Sequence, residues 1–295
     1  MVREISVKII LNRHRKRDEW FLDDYSLNPY QLCEFNCLYC YIRGSKYGGD
    51  LRSDLAVKVN APELLEKELR RRSRRGEYGF IAISSATEPW MYIEKKYRIT
   101  RRCLDIIAKY RFPVHCLTKS TLILRDLDLL HEIDRNAILP SDLSELGHGT
   151  LITFSISSLD DKIAAIFEPN APRPMDRLKT LEKVKDAGFY AGIAYMPVLP
   201  YISDSDDQLM EMIKTAKEFR ADYVFFGDLT LYGVGKRIYF KILEKYFPEL
   251  YDKYLEIYRS GSYIEKTYRR RFYNRVKILS RRYGLKLGIL NNFNE

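Results

Sequence analysis

The sequence lacks long hydrophobic runs, and its cysteines are too few and odd in number for all of them to form disulfides. No 18 consecutive positions are apolar, so a membrane-spanning helix is not expected. The first residues, MVREISVKII, include Glu4 and lead directly into the basic stretch 13–17, which indicates neither a signal peptide nor a transit peptide. An odd number of cysteines, five, argues against a disulfide framework in such a chain. We therefore expect a cytoplasmic protein that does not bind membranes.

The length suffices for one large domain or two small ones, and the charge is unevenly distributed along the chain. Of the 295 residues, 46% are hydrophobic and 13% aromatic, which excludes intrinsic disorder. The formal net charge is +10, but residues 258–286 hold ten Lys and Arg and only one acid, Glu265. The rest of the chain is nearly neutral. A polyanionic partner is therefore expected to meet the C-terminal segment.

Three of the cysteines lie close together in the stretch QLCEFNCLYCY. Cys33, Cys37 and Cys40 have the spacing C-x3-C-x2-C, which calls for an irregular loop around a common metal centre. Soft thiolates select zinc, copper(I) or an iron–sulfur cluster. Zinc would need a fourth ligand, and Cys103 and Cys116 lack the usual paired spacing. Three thiolates instead leave one iron of a [4Fe–4S] cluster open, so an iron–sulfur cluster is the favoured interpretation and zinc the alternative.

The segment CEFNCLYC resembles the cluster loop of the radical S-adenosylmethionine (SAM) superfamily, with Tyr39 as its aromatic residue. The resemblance is to the branch that contains spore photoproduct lyase and photolyase-like relatives, and it covers about residues 25–230. The further matching segments, in order, are SSATEPWMYIEKKYRITR, LTKSTLILRDLDLL, FSISSLDD, FEPNAPRPMDRLKTLEKVKDAGF and MPVLPYISD. The resemblance implies an enzyme with a [4Fe–4S] cluster that cleaves SAM to a 5′-deoxyadenosyl radical. It also implies an electron donor such as a ferredoxin or flavodoxin.

The hydrophobic pattern independently predicts alternating strands and helices. The predicted strands are 79–84, 113–118, 151–156, 190–198 and 222–229, preceded by one near Ser26–Tyr30. The predicted helices are 62–75, 97–110, 121–134, 175–187 and 205–219. Such alternation predicts an α/β fold with a parallel sheet, and the resemblance implies a partial (β/α)6 barrel. We expect a barrel over 23–236, an N-terminal extension 1–22 and a helical, basic C-terminal extension 237–295.

The resemblance also implies roles for side chains at the strand ends. The metal ligands that it implies are Cys33, Cys37 and Cys40. Tyr39 would pack either on the adenine of SAM or within the loop. Glu88 and Thr87 would bind the SAM amino group. Lys119, Ser155 and Ser157 would contact its carboxylate and ribose, Arg173 or Arg177 its carboxylate, and Met196 would approach the adenine. The residues implied to bind cofactor are thus Tyr39, Thr87, Glu88, Lys119, Ser155, Ser157, Arg173, Arg177 and Met196.

One position departs from spore photoproduct lyase. That enzyme carries a hydrogen-donating cysteine near the end of its second strand, where this chain has Ser84 and Ser85. A serine O–H bond is too strong to replace a thiol in that step. Repair of the spore photoproduct itself is therefore not expected, although a nucleic-acid or nucleotide-like substrate is.

The basic segment carries a helical pattern. Its apolar positions recur every three or four residues: Ile264, Tyr268, Phe272, Val276, Leu279 and Tyr283. The arginines occupy the remaining surface, where they could bind the phosphates of DNA or RNA. Two other interpretations stay open: a radical SAM enzyme or maturase acting on a protein or small metabolite, and a zinc-stabilised nucleic-acid-binding protein without catalysis.

Overall fold

The computed structural model describes residues 2–45 and 55–290. Its strands are β1 (Arg3–Ile5), β2 (Leu11–Arg13), β3 (Asp23–Leu27), β4 (Tyr30–Gln31), β5 (Ala56–Lys58), β6 (Phe80–Ile83), β7 (Val114–Thr118), β8 (Thr150–Ile156), β9 (Tyr190–Val198) and β10 (Val224–Asp228). Its helices are α1 (Ala61–Ser73), α2 (Glu94–Tyr97), α3 (Ile99–Tyr110), α4 (Leu127–Asn136), α5 (Asp161–Phe167), α6 (Pro174–Asp186), α7 (Asp206–Glu218), α8 (Gly233–Tyr246), α9 (Tyr251–Ile257) and α10 (Lys266–Tyr283). The expected alternation of strands and helices is confirmed.

The described residues form two compact units. The first takes in 2–34, 55–154 and 179–191, and the second takes in 35–45, 155–178 and 192–290. Strands β8 and β9 and helix α6 contribute residues to both.

A mainly parallel sheet forms the core of the first unit. Its strand order is β2-β3-β6-β7-β8, in which β3, β6, β7 and β8 are parallel and β2 is antiparallel to β3. Strands β6 and β7 are almost entirely buried, as expected of a parallel sheet covered by helices. A second, small sheet has the order β1-β5-β4. The α/β class with a parallel sheet is therefore confirmed.

Three elements of the first unit differ from their predicted form. The strand predicted near Ser26–Tyr30 is β3, Asp23–Leu27, and Tyr30 belongs to β4 of the small sheet. Helix α3 starts at Ile99 because Arg98 takes a left-handed conformation with φ 52°. The helix predicted over 121–134 is a 3-10 helix, Thr121–Asp126, followed by α4. The break falls at Asp126, whose buried carboxylate accepts a hydrogen bond from Trp90 Nε1 at 2.8 Å.

The second unit combines β9 and β10, which are parallel, with the helices α7 to α10. Helix α10 packs on α7 and β10 through the buried residues Phe272, Val276 and Ser280. Leu279 and Tyr283, which were predicted for the buried stripe, are only half-buried. The predicted helix is present. Near its C-terminal end, the buried residue is Ser280 and not the predicted neighbour Leu279.

Candidate active site

The three clustered cysteines lie in the irregular segment that follows β4. All three are half-buried, and none forms a disulfide. In the second unit, Cys37 and Cys40 are joined by a turn in which the Cys40 amide donates to the Cys37 carbonyl at 3.2 Å. No three His, Cys, Asp or Glu side chains within 2–45 and 55–290 are arranged to hold a single metal ion. The loop is irregular, as the cysteine spacing predicted.

Arg43 fixes the backbone of this loop. Its Nε donates to the Cys37 carbonyl at 2.9 Å, and its Nη2 donates to the Asn36 carbonyl at 3.1 Å and to the Asn36 side chain. Asn36 takes a left-handed conformation, φ 53°, which asparagine tolerates better than most residues. The guanidinium thus holds the carbonyl of one predicted ligand. Sequence reasoning missed Arg43, since nothing in its spacing marks it.

Tyr39 is buried in a hydrophobic cluster of the second unit, which also includes Phe167, Leu199 and Tyr239. It is buried, and its hydroxyl donates to Glu168 Oε1. Burial raises the pKa of Tyr39 well above its ordinary value, and the neighbouring Glu168 carboxylate raises it further. The hydroxyl is therefore a permanent hydrogen-bond donor. Tyr39 thus packs against segments outside the loop, and its contact with adenine stays a prediction.

Glu168 gathers three of the predicted residues around its buried carboxylate. Besides Tyr39, it accepts a hydrogen bond from Ser157 Oγ at 3.0 Å and from Arg177 Nη2. Ser155 lies two residues before Ser157, and its Oγ donates to the carbonyl of Met196 at 3.0 Å. The ends of β8 and β9 and the cysteine loop thus meet in the second unit.

The two arginines of the segment 168–177 differ sharply in exposure. Arg177 is completely buried, and its Nε and Nη1 donate to the carbonyls of Pro172 and Ser155 at 2.8 and 2.9 Å. Arg173 is exposed. Every side-chain nitrogen of Arg177 is thus bonded within the protein, whereas the side chain of Arg173 is accessible to solvent.

In the first unit, Glu88 is buried at the end of β6 and fully engaged. It accepts hydrogen bonds from the Thr118 hydroxyl at 2.5 Å, the Lys119 amide at 2.9 Å and the Trp90 amide at 3.1 Å. Burial raises the pKa of Glu88, while these three donors act in the opposite direction. Lys119 itself is half-buried. Sequence reasoning missed Thr118, although it immediately precedes the predicted Lys119.

The hydroxyl of Thr87, next to Glu88, is a buried polar atom without a hydrogen-bond partner among the described residues. The same holds for Ser84 Oγ, on a residue with a left-handed φ of 63°. Unpaired buried hydroxyls are uncommon and call for an explanation such as an absent ligand or water. This strand end therefore has unused hydrogen-bonding capacity, as do Asp23 Oδ1 and Arg72 Nε elsewhere in the first unit.

The radical SAM family model matches residues 27–213. The chain belongs to the radical SAM superfamily. The match covers more than half of the chain and includes the three cysteines and every predicted cofactor-binding residue. The protein is therefore an enzyme of the radical SAM class, which replaces the alternative of a non-catalytic zinc protein.

Known proteins of several kinds are similar to this chain. An uncharacterised protein of Mycobacterium tuberculosis is 29% identical over 267 residues, which is 88% of this chain and 75% of the relative. Spore photoproduct lyase complexed with dinucleoside spore photoproduct has a TM-score of 0.65 at 16% identity, covering 96% of this chain and 79% of the lyase. Streptococcus suis SuiB bound to its precursor peptide SuiA has a TM-score of 0.55 at 16% identity, covering 92% and 48%. These structural likenesses show a shared fold.

The outer face of α10 carries much of the charge. Arg270, Arg271, Arg281 and Arg282 are exposed and have no acidic partner among the described residues. Arg275 differs from its predicted solvent position, because it donates to the Asp204 carbonyl at 2.9 Å and to Asp206 at 3.1 Å. Within the described residues, no helix is long and apolar enough to span a membrane.

Proposed function

We propose that Cys33, Cys37 and Cys40 hold a [4Fe–4S] cluster whose fourth iron binds SAM. The donor set carries this proposal: three half-buried cysteines in a C-x3-C-x2-C loop, none of them in a disulfide, match a cluster with one iron left open. When bound, the cluster supplies one electron that cleaves the sulfonium C–S bond of SAM, giving methionine and a 5′-deoxyadenosyl radical. A ferredoxin or flavodoxin is the class of donor that would supply this electron.

The chain's own residues would bind and orient SAM. In the first unit, the unpaired Thr87 hydroxyl is available to the SAM amino group beside Glu88, and Lys119 would serve the carboxylate. In the second unit, we assign carboxylate binding to Arg173, because its guanidinium is exposed. The hydroxyls of Ser155 and Ser157 already donate hydrogen bonds within the protein, so they would accept hydrogen bonds from the ribose of SAM. The apolar side chain of Met196 would contact the adenine.

Iron content after anaerobic reconstitution tests the assignment of ligands. We expect about four irons per chain in the natural protein and a large loss of iron in each of Cys33→Ala, Cys37→Ala and Cys40→Ala. Cys103→Ala is the matched control, since that thiol is completely buried in α3. Full iron content in the three loop variants would contradict the proposal.

We further propose that the substrate is a nucleic acid or is nucleotide-like. Two observations support this class: the exposed basic face of α10 and the fold shared with spore photoproduct lyase, whose structure holds a dinucleoside. Removal of the spore photoproduct is not proposed, since Ser84 and Ser85 stand where the lyase resemblance calls for a thiol.

The salt dependence of DNA binding tests this substrate class. Replacing Arg270, Arg271, Arg281 and Arg282 with Gln removes four exposed charges. If all four contact phosphates of duplex DNA, the slope of log K against log salt concentration should become shallower by about 3 to 4. The variant Arg70→Gln/Arg71→Gln, on α1, is the control for the loss of surface charge alone. An unchanged slope in the α10 variant would show that this face does not bind the backbone.

A peptide substrate is the second candidate. The fold shared with SuiB, solved with its precursor peptide, supports it. In that case the natural protein should bind DNA and RNA weakly, and the α10 variant should leave SAM cleavage and substrate turnover unchanged.

A further inference from the structure

Two consecutive residues at the end of α5 hold two consecutive residues of the cysteine loop. The Phe167 carbonyl accepts a hydrogen bond from the Leu38 amide at 2.8 Å, and the Glu168 carboxylate accepts one from the Tyr39 hydroxyl. Leu38 and Tyr39 are the two residues between Cys37 and Cys40. The contacts that fix Leu38 and Tyr39 therefore also restrict the positions of the Cys37 and Cys40 thiols.

The Glu168 carboxylate is itself fixed from the opposite side. It is only 3% exposed, and its second oxygen bonds to Arg177, which is 0% exposed. A buried carboxylate is tolerated only when it is paired and hydrogen-bonded, and here Arg177, Ser157 and Tyr39 together meet that need. Losing any one of these donors leaves the charge less well compensated.

Arg177 is anchored by backbone carbonyls. Its Nε and Nη1 donate to the carbonyls of Pro172 and Ser155, so the guanidinium cannot turn toward a ligand without breaking both of these hydrogen bonds. The chain of contacts runs from the end of β8 through Arg177 and Glu168 to Tyr39. Both of its charged members are buried and hydrogen-bonded to other groups of the protein.

We propose that Glu168 and Arg177 are positioning residues that fix the spacing of Cys37 and Cys40 by holding Tyr39, and that they do not bind SAM. This inference rests on the proposed function, because the spacing matters only if the two thiols bind the cluster. The role differs from general stabilisation of the fold, since it acts through a single hydroxyl placed between two metal ligands.

The variant Tyr39→Phe tests the inference most gently, because it removes only that hydroxyl. We expect the reconstituted protein to lose iron to a chelator about tenfold faster than the natural protein, the effect of one hydrogen bond to a charged group. We also expect the electron paramagnetic resonance spectrum of the reduced cluster to change. Glu168→Gln should give similar changes, and the double variant should add little to either one.

Tyr258→Phe is the matched control. Tyr258 is a buried tyrosine of the same hydrophobic cluster, and its hydroxyl donates to the Leu229 carbonyl at 2.6 Å. The control should lower the melting temperature of the metal-free protein about as much as Tyr39→Phe does, without changing chelator loss or the spectrum. Equal chelator loss in all three proteins, or an equal increase in both variants, would overturn the inference. Failure of the natural protein to take up iron would instead overturn the proposed function.

Discussion

Arg173 and Arg177 lie one helical turn apart and have opposite environments. Arg173 is exposed, whereas Arg177 is buried and bonded to Glu168 and to two backbone carbonyls. The buried charge of Arg177 therefore orders the protein interior, whereas the exposed charge of Arg173 is the one that we propose for SAM binding.

This difference predicts separate effects of substitution. Arg173→Ala should weaken SAM binding about tenfold and change the free energy of unfolding by no more than about 0.5 kcal/mol. Arg177→Met should cost about 3 to 5 kcal/mol of stability, because it leaves the Glu168 carboxylate buried without its partner. Isothermal titration with SAM and urea unfolding of the metal-free protein measure the two effects. Reversed results would contradict the assignment.

His115 predicts a dependence of stability on pH. Its ring is completely buried; since the Phe21 carbonyl can only accept, Nδ1 carries the proton, and Nε2 accepts from the Thr153 hydroxyl. Burial lowers the pKa of His115 from 6.5 to about 4. The unfolded chain thus binds more protons than the folded chain between these values, and stability falls as the pH falls.

The contribution of His115 is complete above pH 6.5 and is lost as the pH drops toward 4. It amounts to at most about 3 kcal/mol. Urea unfolding of the metal-free protein at pH 7 and pH 5 measures it. His115→Gln should unfold with a smaller difference between the two pH values, and an equal difference in both proteins would exclude His115 as the source.

At the scale of elements, the cysteine loop ends against the start of α8. A Cβ atom placed on Gly44 would lie 2.7 Å from the Tyr232 carbonyl oxygen and 2.7 Å from the Val234 nitrogen. Gly44 also has a left-handed φ of 80°. No other residue would fit this position without moving the backbone of one of the two elements.

Gly44→Ala should therefore destabilise the protein more than a left-handed backbone alone explains. Gly188→Ala is the control, since Gly188 has a φ of 86° and open space around the added Cβ. The control should cost about 1 to 2 kcal/mol, and Gly44→Ala more than that together with a loss of iron after reconstitution. Equal melting temperatures and iron contents for the two variants would show that the contact with α8 is unimportant.

The elements also show what a sequence can and cannot reveal. Strand β6 was predictable because all four of its residues are buried and apolar, and β7 because it is a short run with Val114, Cys116 and Leu117. Strands β1 and β2 were not, since they are three residues long and mostly exposed, and their pairing depends on distant partners. The cysteine loop was predictable from its spacing, whereas the bond between Tyr39 and Glu168 joins residues 129 positions apart.

At the scale of the whole molecule, the chain is a radical SAM enzyme with an α/β fold and a basic C-terminal helix. The net charge of +10 is concentrated largely in residues 258–286, so binding of a polyanion should depend on a small number of arginines. The chemistry should depend on three of the five cysteines, since Cys103 and Cys116 are completely buried and burial raises the pKa of both thiols.

SAM cleavage by the anaerobically reconstituted and reduced protein tests the central claim most directly. The account predicts that 5′-deoxyadenosine and methionine form in equal amounts, and that both are lost in Cys37→Ala but not in Cys103→Ala. A protein that holds about four irons and SAM, yet yields neither product under reduction, would contradict it.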